Sequence, residues 1–321
     1  MPGVGGWRSL HATRLVGAVR RLLRGGTEAA DDGPRVIDWL GPVPPAVPVS
    51  AGPGATVAAA VRDRALAAGV PAAAAKTLEE WWPGLSAATR RQVAAPLHPY
   101  RGASHLLWGT DIARQTDATT CGSAVLVMLA AAGDPSLALW LATGRLLPDH
   151  APPEVRALRR TRPGALPETP QRRFAALQLV TKQVSNSRAL GPWRWPPSLG
   201  TPPWGAAWAA RFAGLRFRAE MVDDGDRRGT AHQLARAAGA LAAGIPVPLY
   251  TGGDLGGGLA HAAPRHVVLL TGFAAPDRFT VYEPGHGLAT AISREEILAP
   301  GGAHRALGGW SHATWIVLPR Q

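Results

Sequence analysis

The chain has 321 residues, 46% hydrophobic and 17% charged, a balance that excludes wholesale disorder and suffices for one large or two smaller domains. Its formal charge is +12, but all but two of its 34 basic residues are arginine, scattered in pairs such as Arg90-Arg91 and Arg227-Arg228 rather than gathered among aromatics. That pattern argues against nucleic acid and for an acidic substrate or partner, and a single cysteine, Cys121, rules out an intrachain disulfide.

Residues 1–100 read as a helical and proline-rich accessory region. In residues 10–24, Leu15, Val19 and Leu22 mark one face of a short basic amphipathic helix, which arginines interrupt too early for a secretory apolar core. No stretch of about 20 apolar residues follows to span a bilayer. A cytoplasmic chain without stable membrane insertion is therefore expected. Pro42, Pro44, Pro45 and Pro48 make residues 41–53 an extended connector, and helices are predicted at 55–69, 72–82 and 86–95.

Residues 101–321 carry the candidate chemistry. Helices are predicted at 122–132, near 136–144, at 169–186 and at 230–243, and the first is apolar on all sides, which calls for enclosure by other elements. The run Pro192-Trp193-Arg194-Trp195-Pro196-Pro197, with Trp204 and Trp208 after it, reads as a long loop packed on the core, with the lining of a substrate groove as the alternative. Strands are predicted at 246–250, 266–273, 279–283, 288–292 and 313–318, and their short connections imply antiparallel pairing. Helices first and a meander after make an α+β architecture, a helical subdomain whose central helix packs on an antiparallel sheet.

Cys121 opens the central helix, where unpaired backbone amides favour a thiolate, the nucleophilic form of cysteine. A cysteine by itself is more often an inert core residue. What changes the reading is His266 at the start of a strand. If residues 274–277 form the hairpin loop, Phe273 faces Arg278, Val268 faces Glu283, and Glu283 becomes the diagonal same-face neighbour of His266. An odd loop length would flip the acid away. A carboxylate beside an imidazole orients a general base and stabilises its protonated form. His261, in a glycine-rich loop with no strand after it, is the second candidate base. Gly252-Gly253-Asp254 and its following glycines lack the lysine of a phosphate loop, Asp223-Asp224-Gly225-Asp226 lacks calcium-loop spacing, and the histidines show no zinc pattern, so neither cofactor nor metal is expected.

The order Gln115, five residues, Cys121-Gly122-Ser123, a long interval, His266 leading a strand that ends in Thr271-Gly272-Phe273, and then Glu283-Pro284-Gly285-His286-Gly287 resembles the papain-like cysteine peptidases. The most similar branch is the bacteriocin-processing (double-glycine leader) peptidase-like family, and the resemblance spans residues 110–318. It implies a papain-like fold and a thiol protease or amidase that acts on a peptide or protein through an acyl-enzyme thioester. Carried over by residue, Cys121 is the nucleophile, His266 the general base, Glu283 the orienting acid and Gln115 the oxyanion-hole amide. The family usually has Asp, or in papain Asn, where Glu283 stands, and an aromatic often stands where this chain has Val267. No transporter or ATPase segment accompanies the motifs, so leader processing itself is not implied. A catalytically inactive peptide-binding module of the same fold and a thiol-dependent acyltransferase are the two alternative readings.

Overall fold

The computed structural model describes residues 47, 51–99, 103–187, 194–223, 225–253 and 266–320. The amphipathic helix at 10–24, most of the proline-rich connector, Trp193 and His261 with most of its glycine-rich loop lie outside the described residues.

Three alanine-rich helices come first, α1 (Ala55–Ala67), α2 (Ala72–Trp81) and α3 (Ala87–Ala94), close to the expected bounds. Alanine propagates a helix without losing side-chain entropy, and Ser86 starts α3 by accepting the Thr89 amide. Val61, Ala65, Leu78 and Trp82 are fully buried in the same hydrophobic core as the rest of the described chain. A tight hairpin follows, β1 (Leu107–Trp108) with β2 (Asp111–Ile112).

The nucleophile segment is α4 (Cys121–Gly133), which is buried at all but one position, followed after Asp134 by the equally buried α5 (Pro135–Thr143). Among the described residues no single helix is long and apolar enough to cross a membrane; only α4 and α5 together reach that composition, and they meet at a 115° bend. Their apolarity answers to enclosure in the core. Both ends of the bend are fastened by charge. Asp134 caps α5 by accepting the amides of Ser136 and Leu137, and its other oxygen lies 3.0 Å from the Arg211 guanidinium, an ion pair short of hydrogen-bond alignment. Arg211 also donates twice to Glu154, at 2.8 Å each. From α1, Arg64 donates to the Ala132 carbonyl at the end of α4.

Further along run α6 (Pro153–Thr161), α7 (Pro170–Asn186), α8 (Pro203–Ala209) and α9 (Arg227–Ala242). Four helices, α5 to α8, begin with proline, whose missing N–H costs nothing at the first helical position. Two of them, α6 and α8, are absent from the pattern reading, which takes Pro202-Pro203 as loop. Proline there starts a helix.

The main sheet has six strands, all antiparallel, in the order β3-β8-β4-β5-β6-β7. They are β3 (Arg216–Met221), β4 (Val247–Gly252), β5 (His266–Ala275), β6 (Arg278–Glu283), β7 (Leu288–Ser293) and β8 (His312–Arg320), with a short capped helix α10 (Arg294–Leu298) after β7. The result is a mixed helix and antiparallel-sheet fold, compatible with the α+β class read from the sequence. All six positions of β4 are buried, so this strand is covered on both faces.

The β5–β6 turn differs from the expected four-residue loop. Ala275 faces Arg278 across Pro276-Asp277, and two irregularities then bring Phe273 opposite Phe279 and Leu270 opposite Val281. Each irregularity slips the register by one, and two slips restore the parity. Beyond them Leu269 faces Tyr282, the pairing that the longer loop would also have produced.

Removing the Arg211 guanidinium leaves Asp134, 1% exposed, without its cation. Arg211→Ala is expected to cost about 3 kcal/mol in denaturant unfolding, and Arg211→Met combined with Asp134→Asn and Glu154→Gln much less, since neither carboxylate is then left without its cation.

Candidate active site

Cys121 is held by the loop before it. The Thr120 hydroxyl accepts the amides of Thr116 and Asp117 and donates to the Asp117 carbonyl, all at 3.0 to 3.1 Å. Fully buried Gln178 of α7 accepts the Thr116 amide at 3.0 Å and donates to the Arg114 carbonyl at 3.1 Å. Because Thr120 is spent on the loop, α4 has no side-chain cap. Its first-turn amides therefore face Cys121 without a side-chain acceptor, a positive end of the helix dipole beside the sulfur. Gly122 lets this end approach the sheet, since an added Cβ would stand 2.8 Å from Thr201 Cβ and 3.4 Å from Val267 Cγ2.

His266, the first residue of β5, lines the same cavity as Cys121 and donates from Nε2 to Glu283 Oε1 at 2.8 Å. With Nε2 on the acid, Nδ1 is the nitrogen left for the sulfur. Glu283 ends β6, and its longer side chain folds back over its own turn. Oε1 also accepts the Gly285 amide at 2.7 Å, while Oε2 accepts the His286 amide at 3.0 Å and the His286 Nδ1–H at 2.9 Å. Burial by itself would raise the Glu283 pKa, but the hydrogen bonds from His266, His286 and Gly285 hold it down at about 2. Burial would likewise lower that of His266, and the hydrogen bonds to Cys121 and Glu283 reverse this and raise it to about 9.

Other residues close the site. Thr251 pairs with His266 across the β4–β5 ladder, and its hydroxyl donates to the Leu307 carbonyl at 3.0 Å, which draws the 305–308 turn against the imidazole. Gly308 sits there at φ +68, and a Cβ on it would fall 2.2 Å from His266 Cδ2. Tyr250 donates to the Thr201 carbonyl at 2.9 Å, and burial, then the charge of Cys121, pushes its phenol well above the usual range. A cavity of about 300 Å³ meets Cys121 and His266, walled by residues 118–119 and 198–201 together with Tyr250 and Trp310.

Of the four residues named from the sequence, Cys121, His266 and Glu283 come together. Gln115 lies next to the acid turn, with its amide on the Pro284 carbonyl at 2.8 Å, but its side chain donates to Asp117 O at 2.8 Å, its Oε1 is buried without a partner among the described residues, and it does not line the cavity. Trp195 meets Trp204 edge-on at 5.4 Å and Trp204 meets Trp315 at 6.2 Å, while Trp204 and Trp208 of α8 stay exposed. What the proline-rich segment contributes to the cavity wall is Ser198 to Thr201. Tyr250, Thr201, Gly308 and the His286 contact were not read from the sequence. Only His286 had a local signal, three residues beyond the acid on a turn whose amides converge on it.

By NMR, the His266 ring is expected to titrate near pH 9 and to titrate lower in both Glu283→Gln and Cys121→Ala, since each removes a group that favours the imidazolium. Gly308→Ala should displace the ring and slow alkylation of Cys121 by about tenfold or more, because the new methyl overlaps the imidazole and a left-handed φ strains any residue with a Cβ.

No family model, curated protein or solved structure matches the chain, so its functional reading rests on this geometry.

Proposed function

We propose that the protein is a thiol-dependent hydrolase of peptide or amide bonds, papain-like in arrangement, with Cys121, His266 and Glu283 as its triad. The observation that carries the reading is the buried imidazole bonded at 2.8 Å to a carboxylate and meeting the Cys121 sulfur at one cavity. A helix that starts at the cysteine and packs on a strand that starts at the histidine also supports the papain-like comparison.

The roles follow from where charge develops. The Cys121 thiolate attacks the substrate carbonyl carbon, and the new oxyanion is received by the uncapped amides at the start of α4. The His266 imidazolium then gives its Nδ1 proton to the leaving amine as the C–N bond breaks, and a thioester remains on Cys121. In the second half the neutral imidazole takes a proton from water, whose oxygen attacks the thioester carbon. The carboxylic acid leaves and the sulfur regains its starting form. Glu283 stays ionised throughout and holds the ring in the tautomer and orientation that both halves need. Gln115 serves as a second oxyanion donor only if its side chain releases the Asp117 carbonyl. An idle peptide-binding cleft has no need of an acid bonded to the histidine. An acyltransferase would use the same residues and differ only in its acceptor.

Cys121→Ala is expected to lower cleavage of a peptide library, read by mass spectrometry, by about a thousandfold or more while the fold persists. Retained turnover in that variant would refute the assignment. Iodoacetamide should modify Cys121 of the wild type far faster than that of His266→Ala, as read by intact mass. Cleavage should fall as pH rises through about 9, where His266 loses the proton that the leaving group needs.

A further inference from the structure

A second cleft of about 280 Å³ lies against the loop that walls the Cys121 cavity. The two are neighbours through three links. Lys182 borders the second cleft and its ammonium contacts the hydroxyl of Thr119, which borders the first. Pro197 and Ser198 are consecutive, one in each wall. Asn186 of the second cleft donates to the carbonyl of Gly200 in the first at 3.0 Å.

The lining of this second cleft is one-sided in charge. It includes Arg162, Lys182 and Arg194, and no acidic residue among the described residues. Arg162 closes the end of α6, and neither it nor Arg194 has an acidic side-chain partner among the described residues. Lys182 feels Asp117 from the cysteine loop, so the uncompensated charge comes chiefly from the two arginines. Leu179, Trp195 and Pro197 supply apolar wall. The indole N–H of Trp195 is buried and lacks an acceptor among the described residues, although the Trp195 backbone is fixed on the Asn186 carbonyl at 3.0 Å and its ring on Trp204. A buried donor without an acceptor is costly, and an apolar cleft with cations and a spare N–H at its wall suits a carboxylate carried on a short aliphatic stem.

We propose that this cleft is a substrate subsite for an acidic side chain, glutamate-like in length, of the peptide whose carbonyl reaches Cys121. Its standing as a subsite rests on the hydrolase reading; its chemistry does not. The arginines select the carboxylate, Trp195 and Leu179 cover its methylenes, and the Lys182 contact with Thr119 couples the occupied cleft to the wall of the reacting site.

The test uses the full chain carrying Cys121→Ala, so that nothing is cleaved, and biotinylated hexapeptide pools in which Glu or Gln is fixed at each position in turn, with binding followed by biolayer interferometry. At one position the Glu pool is expected to bind about tenfold tighter than its Gln twin. That preference should vanish in Arg162→Gln/Arg194→Gln and return in Arg162→Lys/Arg194→Lys, with unchanged circular dichroism in all variants. Equal binding of Glu and Gln pools at every position, or a preference that survives loss of both arginines, overturns the proposal. Free glutarate competing as well as the peptide would overturn it too, in favour of a site for small dicarboxylates. Alkylation of wild-type Cys121 is read in parallel. If the Glu preference holds and alkylation is indifferent to His266, the hydrolase reading fails and the acid-binding cleft stands; the reverse result sinks the subsite alone.

Discussion

A carboxylate 2% exposed must be answered on every lone pair, and the neighbourhood of Glu283 is organised by that requirement. Taking an ion out of water costs several kcal/mol unless hydrogen bonds replace the lost hydration, and Glu283 has four: two amides of its own turn and two histidine N–H groups. The turn Glu283-Pro284-Gly285-His286 has a second task, because the Pro284 carbonyl receives the Gln115 amide and so ties the acid to the loop that delivers Cys121. Tyr282, next to the acid, donates to the Ala113 carbonyl at 2.7 Å and makes the same connection a second time. Sulfur, imidazole and carboxylate are thus registered by backbone contacts as well as by each other.

Close approach is the second constraint, and small residues permit it. Gly122 allows the start of α4 to rest on Thr201 and Val267, and Gly308 brings a turn against the face of His266. Larger side chains at either place would part the helix from the sheet or push the ring away from the sulfur. The far end of α4 is secured differently, by Arg64 on the Ala132 carbonyl and by Arg211 between Asp134 and Glu154. One end is positioned by van der Waals contact and the other by charge, so the helix has little freedom to slide along its axis.

Arginine therefore does more here than raise the net charge. Arg64 and Arg211 are structural, the first with its pKa lowered to about 10 by burial and the second raised by its two carboxylates, against burial. Arg162 and Arg194 differ in being spent on no acid among the described residues, and they stand at a cleft one residue removed from the cavity of Cys121. Scattered in sequence, they are gathered only by the packing of α6 and α7 beside the proline-rich segment.

Much of the site was written in local pattern. The apolar run after Cys121 marked a buried helix with the sulfur at its positive end, and period-two alternation put His266 and Glu283 on one face of a hairpin. The turn departs from the local pattern: two register slips stand in place of a longer loop, and the acid keeps its face because the slips cancel in parity. Propensity could not show α6 and α8, where proline opens a helix, or β3, a strand rich in charge at the sheet edge. The chain alone determined which groups were available and which side of an element each would occupy, because the 3.6-residue and two-residue periods are properties of adjacent backbone. The bond from His266 that completes the set on Glu283, the tie of the Gln115 amide to the Pro284 carbonyl, the seat of Gly308 on the imidazole and the insertion of β8 between β3 and β4 were decided by tertiary structure, since each joins segments well separated along the chain, which no local period encodes.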